Sequence, residues 1–344
     1  MRTPGVNVAV VGATGVVGRE FLRVLAQRGF PVARLRLMAS ARSAGQRLAW
    51  GGTEHVVEDL AEASFAGVDL ALFSAGSGPA REHAPRAARE GALVVDNSSA
   101  FRMDPEVPLV VPQVNPDAAR AHRGIVANPN CSTILMLMAV APLDRQVPVR
   151  RIVVSTYQAV SGSGEAGLQE LERQVQEEAR GLPPSVRTYP RPIHRNALPF
   201  VQAFAEDGLT TEEWKMVRET QRILARPQLA VTATCVRIPV RRAHSEAINL
   251  EFARPVDPAQ ARAWLAAAPG VRVVDDPARL EFPTPRDAEE QDDVLVGRIR
   301  KDPSHPCGLD LWCTGDQVRK GAALNAVEIA ELLLGLPGRP PARP

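Results

Sequence analysis

Cys131 stands in Ala127-Asn128-Pro129-Asn130-Cys131-Ser132-Thr133, after an apolar strand and before the apolar run Ile134 to Leu143. That spacing puts the thiol at or near a helix N-terminus, where unpaired N–H groups and the helix dipole stabilise a thiolate. A lone cysteine is usually a small buried apolar filler. Cys235, Cys307 and Cys313 fit that role, whereas Asn, Pro, Ser and Thr surround Cys131 at an element junction. None of the 4 cysteines forms a CxxC pair, so neither zinc nor thioredoxin-like chemistry is expected, and no metal site is assigned.

A second turn, Gly12-Ala13-Thr14-Gly15-Val16-Val17-Gly18, follows the first apolar strand and opens the first helix. The glycines permit a tight turn and a close approach of backbone N–H groups to a pyrophosphate, and the helix N-terminus favours its charge. The spacing is GxxGxxG, a variant of the usual fingerprint, and its position at a strand–helix junction gives it weight. Gly12, Thr14, Gly15, Val16, Val17 and Gly18 are therefore candidate dinucleotide contacts. The second strand ends in Ala39-Ser40-Ala41-Arg42-Ser43-Ala44-Gly45, without the acid that would bind a ribose 2′-hydroxyl. Arg42, with Ser40 and Ser43, suits a 2′-phosphate, so NADP is the expected cofactor.

A thiolate beside a nicotinamide implies aldehyde oxidation, or acyl reduction in reverse. The thiolate adds to a carbonyl, hydride passes to NADP, and a thioester remains. A group must handle protons. Of the 6 histidines, His55, His83 and His122 fall in segments that read as surface, and His194 and His305 adjoin prolines in loops. His244 lies between two strong strands in Arg237-Ile238-Pro239-Val240-Arg241-Arg242-Ala243-His244-Ser245-Glu246. It is the candidate, against the plainer reading of a surface-turn histidine.

The elements that must position these groups come in two kinds. Up to about Val149, short continuous apolar strands (Val6 to Val11, Leu35 to Ala39, Leu70 to Ser74, Leu93 to Asp96, Leu109 to Val111, Ile125 to Ala127) predict a parallel sheet covered on both faces. The first is followed by a helix over Val16 to Gln27. Beyond Val149 the strands lengthen and alternate: Arg151 to Gln158, Ala230 to Val240, Glu246 to Phe252, Asp293 to Arg300. Helices fit Glu165 to Ala179, Thr211 to Leu224 and Pro258 to Ala267. This is an α+β pattern with a largely antiparallel sheet buried on one face. A last helix, Gln317 to Leu334, reads as returning to the first domain, stopped by Gly335, with Gly338 to Pro344 a frayed tail.

The 344 residues suffice for two domains. A net charge of +2, with both signs interspersed, gives no support for a nucleic-acid or membrane partner. No run approaches a membrane span or a signal-peptide core, and the cysteine usage suits a reduced, cytoplasmic protein.

Taken together, Gly12 to Gly18, Asn97-Ser98-Ser99-Ala100-Phe101-Arg102, Asn128 to Thr133 and Gln158-Ala159-Val160-Ser161-Gly162-Ser163-Gly164 resemble the aspartate-β-semialdehyde dehydrogenase family. So do Glu212-Glu213-Trp214-Lys215, Cys235 to Val240, His244-Ser245-Glu246 and Gly315-Asp316-Gln317. The resemblance implies that Cys131 is the acyl-forming nucleophile, His244 the acid/base, and Gln158 the residue that orients the substrate. It implies Arg237 as partner of the substrate carboxylate and Glu212 as facing its ammonium. Lys215 and Arg102, helped by Asn130, would hold inorganic phosphate or the acyl phosphate. Ser161, Gly162 and Gln317 would contact the cofactor near its nicotinamide. On spacing alone, Glu212 and Lys215 are an ordinary i,i+3 surface pair. One segment, Pro192-Ile193-His194-Arg195-Asn196, departs from the family pattern.

The expected architecture is α/β: a Rossmann-like NADP-binding domain over 1–133 plus 317–344, and an α+β catalytic and dimerisation domain over 134–316 with a mixed, largely antiparallel sheet. The expected reaction is reversible reduction of L-aspartyl 4-phosphate by NADPH to L-aspartate 4-semialdehyde. That reaction serves biosynthesis of lysine, diaminopimelate, methionine and threonine, in a homodimer or homotetramer. The alternatives are N-acetylglutamyl-phosphate reductase, whose cysteine turn reads Asn-Pro-Gly-Cys-Tyr, and a catalytically silent NADP-binding protein.

Overall fold

The computed structural model describes residues 5–337. In chain order the elements are β1 (Val6–Val11), α1 (Val16–Arg28), β2 (Val32–Ala39), β3 (Arg47–Trp50), β4 (Thr53–Asp59), β5 (Leu70–Phe73), α2 (Ser77–Arg89), β6 (Leu93–Asp96) and β7 (Ile125–Ala127). There follow α3 (Cys131–Asp144), β8 (Val149–Gln158), α4 (Gly164–Ala179), α5 (Thr211–Ile223), β9 (Ala230–Arg237), β10 (His244–Phe252) and α6 (Pro258–Ala266). The chain closes with β11 (Val271–Val273), α7 (Pro285–Ala288), β12 (Val294–Lys301), β13 (Gly308–Gly315) and α8 (Leu324–Leu333).

These elements form two compact units. The first runs to Asn130 and resumes at Ala322; the second is Cys131–Gly321. The expected boundaries lay 3 residues later at the first junction and 5 earlier at the second, so Cys131 opens the second unit and Gln317 belongs to it.

The first unit carries a seven-stranded sheet in the order β3-β4-β2-β1-β5-β6-β7, parallel except for the β3–β4 pair. Alternate residues of each short apolar strand go to opposite faces. Val8, Val10, Leu35, Leu37, Leu70 and Leu72 pack with α1 and α8, and Ala9, Val11, Ala71, Phe73 and Val94 with α2. The return of α8 is fixed by a buried two-pronged ion pair, Arg28 Nε to Glu331 Oε1 at 2.7 Å and Arg28 Nη2 to Glu331 Oε2 at 2.6 Å. The last helix is not continuous from Gln317: a π-helical turn, Arg319–Ala323, precedes α8. Residues 338–344, expected to fray, lie outside the described residues.

Three features of this unit differ from expectation. Leu109 to Val111 forms only a single bridge, Leu109 to Ala127, because Pro108 and Pro112 bracket it and proline cannot donate to a ladder. The hairpin β3–β4 was not anticipated; Gly51 and Gly52, both at positive φ, make its tight turn. His83, expected at the surface, is buried on α2.

The second unit is built on a six-stranded sheet in the order β11-β12-β13-β10-β8-β9. The three central pairs are antiparallel; the two outer ones, β11–β12 and β8–β9, are parallel. Burial alternates along β8 and β10, so Ile152, Val154, Thr156 and Gln158 face inward with His244, Glu246, Ile248 and Leu250. α3, α5 and α6 cover this face. Residues of the other face, including Ser155, Tyr157, Ala247, Asn249 and Trp312, remain half-exposed.

Candidate active site

Cys131 is the first residue of α3, a helix apolar around its whole circumference, with Ser132 to Ala141 all buried. Such a helix is held on every side by the core, which gives the half-buried thiol a rigid base. Gly321 packs directly on it: a Cβ there would stand 2.9 Å from Cys131 Cβ and 3.3 Å from its Cα. No side chain larger than hydrogen fits without displacing Cys131.

Gln158 ends β8 beside this turn. Its Nε2 donates to Ser132 Oγ at 3.0 Å and to Glu212 Oε1 at 3.3 Å. The other Glu212 oxygen accepts from Lys215 Nζ at 3.1 Å, and Lys215 also donates to Gln202 Oε1 at 2.5 Å. Glu212 is 2% exposed, so the pair that resembled a surface contact is a buried carboxylate with a half-buried ammonium. Local sequence sets the start of α5. Thr210 Oγ1 accepts from Glu213 N–H at 3.3 Å and Glu213 Oε2 accepts from Thr210 N–H at 2.6 Å, a reciprocal cap worth about 1 kcal/mol. The second Glu213 oxygen accepts the Cys235 N–H at 2.9 Å, which ties the helix to β9.

His244 opens β10, opposite Gly315 of β13, and is fully buried. The Ala159 N–H donates to its Nδ1 at 3.0 Å. The Ala159 carbonyl accepts from Arg237 Nη1 at 2.6 Å, so one residue's backbone holds both side chains. A Cβ on Gly162 would meet Arg237 Nη1 at 2.8 Å and His244 Nε2 at 3.2 Å; this glycine leaves room for the two. Burial and, after it, the Arg237 charge hold the His244 pKa well below the ordinary imidazole value. Gln317 accepts from Ala243 N–H at 2.8 Å and donates to Ser161 Oγ, which brings two expected cofactor contacts together. Asp316 orders this turn by accepting from Arg242 Nε at 2.6 Å and from the N–H groups of Val318 and Arg319 at 3.0 Å.

The second unit thus gathers Cys131, Gln158, Ser161, Gly162, Glu212, Lys215, Arg237, His244 and Gln317. Arg102 and Asn130 belong to the first unit. Arg102 is buried and donates to the carbonyls of Asn128 and Asn97, each at 2.9 Å, which orders the chain ahead of the cysteine. Asn130 is buried, and Asn128 is fixed in turn by Asn325 Nδ2 at 2.7 Å.

The glycine turn fits a dinucleotide. Gly12 takes φ 83°, and a Cβ there would run into the Ser74 carbonyl; one on Gly18 would run into that of Gly12. α1 starts at Gly15 without a side-chain cap, which leaves its N-terminus suited to an anion. Thr14 Oγ1 donates to Ser43 Oγ at 3.3 Å, which joins the turn to the loop that carries exposed Ser40 and Arg42. Val16 and Val17 form the first turn of α1.

One polar row was missed in the sequence. Cys313, Glu246, Thr156 and Cys235 are register neighbours across four strands, all fully buried one step behind the site. Cys313 Sγ lies 3.8 Å from Glu246 Oε2. Burial pushes the thiols of Cys235 and Cys313 up, so both are inert fillers. Cys307 is half-buried, not core. The signal that could have found the row is the period-two spacing from the site residues Gln158, Arg237 and His244.

A family model described as semialdehyde dehydrogenase, NAD binding domain, matches residues 7–122, and one described as semialdehyde dehydrogenase, dimerisation domain, matches residues 140–320. An aspartate-semialdehyde dehydrogenase of Synechocystis sp. is 52% identical over 329 residues, which cover 96% of this chain and 97% of the relative. The structure of aspartate semialdehyde dehydrogenase II from Vibrio cholerae complexed with ASA matches at TM-score 0.94 and 45% identity, over 96% of this chain and 99% of that one. The Candida albicans aspartate semialdehyde dehydrogenase with NADP matches at TM-score 0.76 and 25% identity, over 96% and 98%. With its motifs in order, its two units and its near-complete coverage, the chain belongs to the aspartate-semialdehyde dehydrogenase family.

Proposed function

We propose that the chain catalyses the reversible, NADPH-dependent reductive dephosphorylation of L-aspartyl 4-phosphate to L-aspartate 4-semialdehyde through a thioester on Cys131. The observation that carries this reading is the Gln158 amide, which donates both to Ser132, next to the nucleophile, and to buried Glu212. It links a thiol poised for acyl transfer to a carboxylate suited to a substrate ammonium.

Cys131, as thiolate, attacks the acyl carbon and phosphate departs. NADPH, when bound, supplies the hydride that reduces the thioester. Gln158 orients the acyl group, Arg237 pairs with the substrate carboxylate as a forked donor, and Glu212 receives the ammonium. Lys215, with Arg102 and Asn130, offsets the phosphate charge, and His244 is the acid/base that shuttles the proton. Gly12, Thr14, Gly15, Val16, Val17 and Gly18 would hold the pyrophosphate; Ser40, Arg42 and Ser43 the 2′-phosphate; Ser161, Gly162 and Gln317 the nicotinamide end. The half-exposed sheet face of Tyr157, Asn249 and Trp312 is proposed to pair two copies. No helix among the described residues is long and apolar enough to cross a membrane, and the proposed compartment is the cytoplasm.

The test is absorbance at 340 nm with L-aspartate 4-semialdehyde, phosphate and NADP. Phosphate-dependent formation of NADPH is the expected result. Activity on N-acetylglutamate semialdehyde instead would reassign the substrate, and folded protein inert on both would leave a silent NADP-binding protein.

A further inference from the structure

Lys215 is steered by two acceptors of different charge. Its ammonium carries three N–H donors at the end of a flexible stem. One goes to Glu212 Oε2 at 3.1 Å and one to Gln202 Oε1 at 2.5 Å. The third has no protein acceptor among the described residues. Two fixed bonds on one nitrogen set the direction of the remaining N–H. Glu212 is buried, and its other oxygen accepts from Gln158. Gln202 Oε1 also accepts from Thr211 Oγ1 at 3.1 Å, so the amide turns its oxygen, not its nitrogen, to the ammonium.

The backbone that carries Gln202 is held in place by its neighbours. Gln202 takes φ 66°, in the left-handed region that a residue with a Cβ keeps only where the surroundings impose it. A small hairpin ahead of α5 imposes it here. Thr211 N–H donates to the Ala203 carbonyl at 2.8 Å, Ala205 N–H to that of Leu209 at 2.7 Å, and Phe204 bridges Thr210. The Trp214 indole N–H reaches Asp207 Oδ2 at 3.0 Å and closes the hairpin on the helix. Gln202 itself is exposed, so burial of its side chain is not what this conformation secures. What it secures is the pair of contacts to Thr211 and Lys215.

We propose that Gln202 is a positioning residue for the phosphate site: its neutral amide oxygen aims the remaining Lys215 N–H at a phosphate oxygen without cancelling the lysine charge. The inference rests on the phosphate role given to Lys215 above and deepens it. Charge explains why an amide stands here. Glu212 already offsets the single positive charge of Lys215. A second carboxylate at 202 would leave the cluster net negative and repel an incoming phosphate dianion. An apolar side chain would leave the long lysine with one partner and free to turn. An amide oxygen supplies the bond and adds no charge. Gln202 makes and breaks no covalent bond, and acts on the phosphate only through Lys215.

The test compares Gln202→Gly, which removes the amide and relaxes the backbone, with Gln202→Glu, which keeps the shape and adds a charge. KM for phosphate is read in the absorbance assay above, with saturating L-aspartate 4-semialdehyde and NADP. Gln202→Gly should raise it by about tenfold, the low end for losing a hydrogen bond to a charged group. Gln202→Glu should raise it further, by about a hundredfold, because a carboxylate competes with phosphate for the same ammonium. KM for the semialdehyde and for NADP should hold in both. The value of kcat at saturating phosphate should change far less than kcat/KM for phosphate, the split expected when ground-state binding is lost. An unchanged KM for phosphate in the two variants, a glutamate that serves as well as glutamine, or equal losses in every parameter would overturn the inference. A phosphorus NMR titration of inorganic phosphate against the NADP-bound proteins, without semialdehyde, gives a readout independent of turnover. Wild type that binds phosphate more tightly than both variants, yet shows no phosphate-dependent turnover, would overturn the thioester reading and leave the role of Gln202 standing. Wild type that neither binds phosphate nor turns over with it would overturn both.

Discussion

Gly321 lies against Cys131 with no space for a side chain: its hypothetical Cβ would sit 2.9 Å from Cys131 Cβ. The atom it would strike is the Cβ of Cys131, on a helix that the core holds on all sides. Gly321→Ala is therefore expected to shift the thiol by a fraction of an ångström and to lower kcat by about 10–100-fold, since misplacement near 1 Å costs about 10²-fold. NADP binding should change little. Steady-state rates with a cofactor titration check this; a variant with wild-type kcat would show that the turn yields without moving Cys131.

Cys131→Ser should remove the covalent route. A hydroxyl at a helix start is not ionised near neutral pH as a thiolate can be, so turnover should fall by roughly a thousandfold or more. Intact-mass spectrometry after mixing wild type with semialdehyde and NADP, without phosphate, should show one acyl adduct, absent from the variant. An adduct retained in Cys131→Ser would move the nucleophile elsewhere.

Arg42 is exposed on the loop after β2, which is tied to the glycine turn by the Thr14–Ser43 hydrogen bond. Arg42→Ala should raise KM for NADP by about 10–100-fold, the scale of 1.5–3 kcal/mol for a charge-assisted bond. KM for NAD should hardly move, because NAD lacks the 2′-phosphate. Equal losses for both cofactors would indicate damage to the turn itself.

Glu246 gives a stability signature. Burial lifts its pKa well above 4.5, and its Oε1 has no hydrogen-bond partner among the described residues. The folded protein keeps a proton that the unfolded chain releases. The favourable contribution is complete below the ordinary carboxyl pKa and is lost as pH rises toward the folded value. Glu246→Gln mimics the protonated form and should abolish this dependence. The wild-type stability relative to the variant should fall with rising pH, by at most about 1.4 kcal/mol per unit. Denaturant melts of both proteins from pH 4 to 8 measure it; a flat difference would mean that Glu246 is ionised in the native state.

The cysteine turn and the glycine turn were legible because each puts unusual residues at a junction between two apolar elements, a local pattern. Glu212 and Lys215 were not legible from spacing. Their i,i+3 offset is the same on a wet or a buried helix face, and only the packing of α5 against β9 decides which it is. Ala159 could not be read at all, since it acts through its peptide group and any residue type supplies one. The hairpin at Gly51-Gly52 carried a turn signal, but its flanking strands are half polar and show no buried run. β13 was hidden because the adjoining Asp302 to Cys307 reads as loop and its own alternation is short.

The segment after α4 is pinned in a way that bears on Pro192–Asn196. Glu177 Oε2 accepts the Ser185 N–H at 2.7 Å, Glu170 Oε2 that of Arg187 at 3.1 Å, and Gln174 Oε1 those of Ile193 and His194 at 2.9 and 3.0 Å. The helix grips main-chain donors, which every residue but proline provides. The path of this strap is thus encoded in the helix, while the lettering of the strap is free to drift, provided Ile193 stays greasy enough for its buried seat. Side-chain changes at these positions can therefore leave the path of the backbone unaltered.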